Sequence, residues 1–534
     1  MGTQIRLSIP FSRIPGVKFM RDLAFPGFVL GLICLVACAP SPSEMTIIVI
    51  SMDTTRPDHL TPYDASRGTT PNLDQLSRDG VLFTQARTTA PWTLPAHMSL
   101  FTGQPPAVHE VVIDFQRLDP SRPTMGEVLS DAGFTTAGFF TAPYVHGQYG
   151  FDRGFDFYER LSAPTIFDLP LDRRQDQSGA REALSHRELT SHKVFRQAKQ
   201  QLRRSSRPRN LLFLHLFDPH YDFIAPPANT KRFTDTNYRG PVDGTNPTGR
   251  PDIYWPGMPS EDRAHFEGLY DAELNFLDQQ LGLLLEEIRS QGREDTTLIA
   301  ITSDHGEEFF ERGRFGHRST LYDEVLRVPL ILWGPGFLPG GLVIDEEVSV
   351  CDILPTLMDY AAIPPDSRMY GVSLRSLVEQ DTAHIDRPDI SALTFIPRVP
   401  NGFYVLHESA VHQGLKIIRK THIPWSPERE QDLSGNAIDG TETIEIFDLT
   451  VDPHEKDNLW PGTEGDDRIQ RALAMFNASR DMQKETLATY HNLGVDTFDI
   501  GLDEIRRETG YLGGTPTPSD VGAYLKVPED ESQP

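Results

Sequence analysis

The chain carries 50 basic residues against 76 acidic ones over 534 positions, a net charge of −26, and this balance excludes a nucleic-acid backbone as partner. It does not exclude an anionic substrate, because a bound cation inverts the local sign. With 38% hydrophobic and 24% charged residues, the composition is that of a globular protein long enough for one large core and a smaller one.

At the N-terminus Arg6, Arg13, Lys18 and Arg21 precede an apolar run from Leu23 to Ala37, interrupted only by Pro26 and glycines. A basic flank followed by a short apolar stretch marks a secretion signal, and the run is short for a spanning helix. It ends Leu35-Val36-Ala37-Cys38, which resembles the lipobox of bacterial lipoproteins. That resemblance implies Cys38 as the lipidated first residue of the mature chain and residues 38–44 as a tether. The body then belongs to the periplasm or the outer membrane and meets the bilayer through its lipid only. Removing residues 1–37 leaves a charge of about −29. Cys34 and Cys38 lie in this segment, so Cys351 is the only thiol of the body and no disulfide framework forms there.

Met45 to Ile50 is a β-branched run that reads as a buried parallel strand ending at Asp53. Thr70-Pro71, Leu73, Leu76 and Gly80 outline a short helix with its cap, first-turn proline and terminal glycine. A second helix starts at Thr93, with Pro95 suited to its first turn and His97 one turn on, on the same face. Thr124 to Ala132 reads as a helix and Phe134 to Phe140 as a strand. Ser162 to Gly179 is a polar loop, His186 to Arg204 an amphipathic helix, and Leu211 to Leu214 a strand that delivers His215, Asp218 and His220. Pro226 to Pro259 is a long loop of the kind that often faces substrate. Glu261 to Arg289 is a strong helix, and the strand Thr297 to Thr302 ends in Ser303-Asp304-His305-Gly306. Beyond Pro364, Phe403 to Leu406, Gly414 to Arg419 and Thr443 to Leu449 read as strands of a smaller antiparallel sheet, covered by a helix from Asp467 to Leu487. Residues 515–534 have the composition of a disordered tail. The alternation predicts an α/β fold with a mainly parallel sheet flanked by helices. A catalytic domain over 45–395, a C-terminal α+β subdomain over 396–490 and an extension over 491–534 follow.

Ligands in such sheets gather at the carboxyl ends of the strands. Three strand ends here carry groups suited to metal or phosphate: Asp53; Asp304 with His305; and His215, Asp218 and His220. Thr93 adds a hydroxyl at a helix N-terminus, where free N–H groups favour an anion. Each alone reads equally as a cap or a turn residue. Together, two carboxylates, an imidazole and a threonine oxygen make a four-ligand site for one divalent cation.

From Met45 to Trp460 the sequence resembles the sulfatase family of the alkaline phosphatase superfamily. The resemblance is carried by Ile47 to Asp53, Thr93 to Gly103, Asp218-Pro219-His220, Thr302 to Gly306, Val328-Pro329-Leu330, Asp352 to Thr356, Gly371 to Leu374, Ile446 to Leu449 and Asp452 to Glu455. It implies an alkaline-phosphatase-like fold, an anionic ester as substrate and a divalent metal. The departures are equally specific. Thr93 stands where the family has a Cys or Ser matured to formylglycine, Thr54 replaces the second of two aspartates, and His97 replaces the signature arginine. The Gly-Lys-x-His segment has no counterpart except His146. Asp53, Thr93, Asp304 and His305 look instead like the Zn or Mn ligands of the superfamily's phosphoethanolamine and glycerophosphate transferases. The expected site therefore has Asp53, Thr93, Asp304 and His305 on the metal, Zn or Mn by its histidine and Ca by the sulfatase resemblance. Thr93 is the nucleophile, His220 and His317 contact the transferred group or protonate the leaving oxygen, and His97 orients Thr93. The alternative is a non-catalytic lipoprotein that binds an anionic glycan or lipid head group at the same site.

Overall fold

The computed structural model describes residues 44–488 apart from 65, 114–115, 163–188, 246–249, 251, 381–383, 385–389, 399–402 and 425–440. The signal segment with Cys38, almost all of the polar loop from Ser162, and the extension from 491 lie outside the described residues. Strands β1 (Met45–Met52), β2 (Val81–Arg87), β3 (Thr135–Phe140), β4 (Phe157–Arg160), β5 (Arg209–Leu216) and β6 (Thr297–Thr302) belong to the main sheet. After a two-residue hairpin, β7 (Glu308–Phe309) with β8 (Phe315–Gly316), β9 (Leu330–Trp333) and β10 (Leu342–Ser349) complete it. Its order is β10-β2-β9-β6-β1-β5-β3-β4. Every neighbouring pair is parallel except the two that β9 makes with β2 and β6.

Alternation along β1 explains the three layers. Met45, Ile47 and Val49 enter one core while Ile48, Ile50 and Met52 enter the other, because successive side chains of a strand point to opposite faces. Helices Thr93–Thr102, Met125–Asp131 and Ile353–Tyr360 cover the first face. Helices Pro71–Asp79, Ser191–Arg204 and Ser260–Ser290 cover the second. A sheet dry on both sides holds continuous apolar strands, which is why β1, β5 and β6 are legible from sequence. The strands left unread are those whose pattern is mixed or short, such as β2 with Thr84 and Gln85 half-buried, and the four-residue β4 and β9.

A separate antiparallel sheet follows: β11 (Ile390–Arg398), β12 (Phe403–His412), β13 (Leu415–Pro424) and β14 (Thr441–Asp448). Its first strand was not foreseen and begins ahead of the expected boundary at 395. The helix Asp467–Ala488 lays Ile469, Ala472 and Phe476 on Ala410, Leu415, Ile417 and Ile446. On the other face Ala392, Ile418 and Phe447 pack against Leu321, Tyr322 and Leu326. Among the described residues no helix is long and apolar enough to cross a membrane.

One buried charge centre reinforces that junction. Lys416 of β13, with no exposed side-chain surface, lies 2.7 Å from Asp323 and 2.8 Å from Glu455, and Asp323 also pairs with Arg87 of β2 at 2.8 Å. Burial disfavours the Asp323 charge, but Arg87 and Lys416 outweigh it and hold the carboxyl well below the usual range. Removing one member of such a cluster leaves the others buried without compensation. Lys416→Ala is expected to lower the unfolding free energy by about 3–5 kcal/mol, read as a lower urea midpoint at unchanged slope.

Candidate active site

β6, β1 and β5 are adjacent, so the residues that follow them converge at one edge of the sheet. Asp53 follows β1, and Asp304 and His305 follow β6. Thr93 opens the helix that crosses in front of them. Its hydroxyl does not cap that helix, whose N-cap position is Trp92. Instead Thr93 Oγ1 lies 3.4 Å from His305 Nε2. The N-cap reading of this threonine is therefore excluded by its partner.

Asp53, Asp304 and His305 are buried and each offers one ligand atom within 4.8 Å of the other two. His305 Nδ1 donates to the Gly306 carbonyl at 2.9 Å, which fixes the tautomer and presents the Nε2 lone pair to the carboxylates. Nε2 lies 3.3 Å from Asp304 Oδ2 and 3.7 Å from Asp53 Oδ1. Those two oxygens accept no hydrogen bond. The remaining oxygens are satisfied: Asp304 Oδ1 accepts the amides of His305 at 2.9 Å and Thr54 at 3.3 Å, and Asp53 Oδ2 faces His215 Nε2 at 3.2 Å. Buried carboxylate oxygens without donors, aimed at an imidazole lone pair, are what a divalent cation requires, and the residues present fit one.

The turns that present these groups are tightly specified. Thr54 has φ 50°, the left-handed region that costs a β-branched residue free energy, and this conformation sends its N–H to Asp304. The Thr54 hydroxyl donates to the Pro219 carbonyl at 2.9 Å, so Thr54 supplies a backbone donor to Asp304 and its side chain is engaged elsewhere. Gly306 is required by packing, because a Cβ there would meet the Glu324 carbonyl oxygen at 2.2 Å.

The other expected residues separate into two groups. His317, delivered by the β7–β8 hairpin, packs its ring 4.3 Å from that of His305, and His220 lies 5.3 Å from His317 with its own ring stacked on Phe217 at 4.3 Å. Both therefore join the cluster. His97 lies behind Thr93: its Nδ1 donates to the Thr93 carbonyl at 2.8 Å, and its Nε2 meets Ser51 Oγ at 2.9 Å. It positions the helix start and does not reach the Thr93 hydroxyl, so it is not a reacting group. Asp218 is spent as a cap, accepting from Thr190 Oγ1 at 2.7 Å and the Ser191 amide at 2.9 Å. His215 bridges Asp53 and Thr141, so it orients a carboxylate rather than facing the cluster. His146 caps its own turn through the Gln148 amide.

Two residues were missed by sequence reasoning. Glu307 is fully buried with Oε1 2.9 Å from His317 Nδ1; its place two residues after His305 was the only signal. Arg318 stacks its guanidinium 4.1 Å from the Trp92 ring centre, and its amide donates to the Pro91 carbonyl at 2.7 Å. It thus brings a cation to the start of the Thr93 helix, at a left-handed backbone position of φ 82°.

Burial sets the protonation of the metal-free cluster. It pushes Asp53 and Asp304 up to about 7 and Glu307 up to about 8, with the neighbouring carboxylate charges adding to the rise. It pushes His305 and His215 down to about 4, and His97 and His317 down to about 3. Neutral imidazoles beside carboxyls that resist ionisation describe a site short of positive charge.

The fold and the cluster define a hydrolase of alkaline-phosphatase-like architecture. The chain belongs to the sulfatase family, whose sequence model matches residues 45–363. It is 26% identical to an uncharacterized sulfatase of Escherichia coli, YidJ, over 62% of this chain and 71% of that protein. It is 27% identical to the choline-sulfatase of Rhizobium meliloti over 74% of this chain and 78% of that one. In fold it resembles the phosphonate monoester hydrolase of Agrobacterium radiobacter, with TM-score 0.62, 19% identity and 83% and 97% of the two chains covered. It also resembles a protein solved with its substrate D-glucosamine-2-N,6-O-disulfate, with TM-score 0.63, 17% identity and 83% and 98% covered. The protein is an ester hydrolase of this family.

The carboxyls give a pH test. Their folded values lie above the unfolded value of about 4, so the stability they contribute is full below that value and is lost as pH rises through about 7. Melting of chelator-treated protein is expected to fall between about pH 5 and pH 8. Added divalent metal should flatten that slope, and Asp304→Asn should weaken it without metal.

Proposed function

We propose that this enzyme cleaves anionic esters through a covalent intermediate on Thr93, and that phosphate mono- or diesters suit it better than sulfate esters. The observation that carries the reading is the placement of Thr93 Oγ1 against His305 Nε2, beside two carboxylate oxygens that lack donors. Asp53, Asp304, His305 and the Thr93 hydroxyl would hold the ion. Zn or Mn is favoured by the imidazole nitrogen, and Ca by membership of the sulfatase family. A divalent cation there supplies Lewis-acid chemistry, favouring the threonine alkoxide and carrying charge on the transferred group.

The side chains divide the remaining work. Thr93 Oγ1 attacks, helped by the positive end of its helix. Asp53 and Asp304 would anchor the ion, each held in orientation by its second oxygen. Arg318 stands beside the helix start with a charge suited to the non-bridging oxygens of the ester. His220 and His317 serve the leaving oxygen. Phosphate is preferred on chemical grounds. A formylglycine hydrate expels sulfate by collapsing to its aldehyde, whereas threonine lacks the second hydroxyl for that exit and must be released by in-line attack of water or an alcohol. The phosphonate monoester hydrolase likeness supports this choice, and the choline-sulfatase likeness supports the sulfate alternative. A binding protein without turnover is disfavoured by the Thr93 hydroxyl held 3.4 Å from His305 Nε2, a nucleophile position that a site for binding alone does not need.

Thr93→Ala is expected to lower turnover by several orders of magnitude, as loss of a nucleophile acting as a unit with its site does, and Thr93→Ser to keep part of it. The check is intact-mass analysis of quenched enzyme, which should show a phosphoryl adduct in wild type and none in Thr93→Ala. Full activity in Thr93→Ala, or sulfate release by unmodified wild type faster than phosphate release, refutes the proposal.

The Leu35–Cys38 segment supports a lipid anchor at Cys38, with the body in the periplasm or at the outer membrane. Cys38→Ser should leave the precursor unprocessed, with the mass of the full chain and no lipid adduct. Retention in the detergent phase after normal processing rules the anchor out.

A further inference from the structure

Between Lys193 and Arg209 the sequence holds seven basic residues and no acidic one, in a chain whose net charge is −26. The helix Ser191–Arg204 turns Val194, Phe195, Ala198 and Leu202 into the core, which leaves its cations on the outward side. Arg203 pairs with Glu287, and Lys199 lies in the field of the same carboxylate. Arg196, Arg204 and Arg207 are exposed and, among the described residues, pair with no carboxylate. The turn that displays Arg204 and Arg207 is fixed from both sides. Arg293 donates to the Leu202 and Ser205 carbonyls, both at 3.1 Å, and Asn210 Nδ2 donates to the Arg207 carbonyl at 2.9 Å.

This turn lies at the edge of the sheet where the chain enters it. The Met45 amide donates to the Pro208 carbonyl at 2.8 Å, and Met45 is the register partner of Arg209. Cys38 is seven residues before Met45, a reach of at most about 25 Å of extended chain. Asp53 stands at the other end of β1, and the eight residues of that strand put the cluster roughly 26 Å from this edge. Glu44 and Asp295 are exposed at the same edge, so attraction to an anionic surface is confined to the helix side of it. A basic patch beside a lipid anchor is a second membrane signal, each cation adding about fivefold to affinity for an anionic bilayer.

We propose that Lys199, Arg204 and Arg207 dock the body on a bilayer surface of anionic phospholipid, with the active site at the far edge of the sheet open to the aqueous phase. The proposal rests on the Cys38 anchor above and extends the bilayer contact beyond the lipid itself.

The test uses the lipidated mature chain on vesicles of phosphatidylcholine, alone and with about 30% phosphatidylglycerol, each carrying a nitroxide head-group quencher. Cys351 is buried, so Ser206→Cys, in the exposed turn between the two arginines, offers one site for a fluorophore. Ser260→Cys is the control at the opposite edge. Ser260 opens its helix ten residues before Tyr270, whose hydroxyl donates to the Thr54 carbonyl at 2.8 Å.

The label at 206 is expected to be quenched on the anionic vesicles, to recover at about 0.5 M salt, and to be quenched far less on phosphatidylcholine alone. The label at 260 should stay bright on both. The triple variant Lys199→Gln/Arg204→Gln/Arg207→Gln should lower the ratio of docked to undocked protein by about 10²-fold, with turnover of a soluble ester unchanged. Equal quenching at 206 on the two vesicle types, equal quenching at 206 and 260, or wild-type quenching in the triple variant each overturn the docking. If the triple variant does not fold, the salt dependence of the wild type supplies the same comparison. Flotation separates the premise from the proposal. Protein that floats with both vesicle types and shows no charge-dependent quenching refutes the docking alone. Protein that floats only with the anionic vesicles keeps the docking and refutes the anchor, and protein that floats with neither refutes both.

Discussion

Asp53 and Asp304 are brought together at the ends of adjacent strands, each with an oxygen that accepts no hydrogen bond from the described residues. Among the described residues no lysine or arginine side chain bonds either carboxylate, and the surrounding imidazoles are pushed neutral by burial. The site is therefore an electrostatic deficit that the fold maintains at its own expense. The β1 and β6 turns, the left-handed Thr54 and the close approach at Gly306 all serve to keep the deficit focused on one point. A divalent cation would complete it, and such an ion would give a chain of strongly negative charge a means to attract an anionic substrate.

On the reading proposed above, a threonine hydroxyl would serve as nucleophile without chemical maturation, provided the neighbouring ligands lower its proton affinity sufficiently. An imidazole ligand in place of a further carboxylate would reduce the negative charge around a bound ion and leave it a stronger Lewis acid, and the uncharged Thr54 beside Asp53 works in the same direction.

Much of this was legible before the structure. Continuous apolar runs such as Ile47–Ile50 and Leu298–Ile301 have one physical meaning, a strand buried on both faces, and the rule that ligands gather at carboxyl ends made Asp53, Asp304 and His305 a candidate set. Residue type alone could not separate ligands from their supports. His215 near the end of β5 and Asp218 just after it belong to the same stretch as His220, and only the geometry shows that one orients a carboxylate and the other caps a helix. His97 was legible as a neighbour of Thr93 but not as a residue behind it, because the helical repeat places two side chains on one face without saying which side that face presents. Glu307 and Arg318 escaped because they act through tertiary contacts with His317 and Trp92 and carry no spacing of their own. The β11 strand escaped because its apolar residues do not alternate regularly along ISALTFIPR and Pro397 interrupts the run.

The contact at Gly306 reaches further than the turn it belongs to. The Gly306 amide donates to the Val325 carbonyl at 2.7 Å, and the short helix Asp323–Leu326 that supplies this carbonyl also carries Asp323, the partner of Lys416 in the small sheet. The turn bearing Asp304 and His305 is thus braced from behind by an element whose charge is neutralised from the C-terminal sheet. That sheet contributes no ligand, but it sets the stiffness of the wall on which the ligands are mounted. Damage to it would be read first as weakened grip on the ion, well before the protein as a whole came apart.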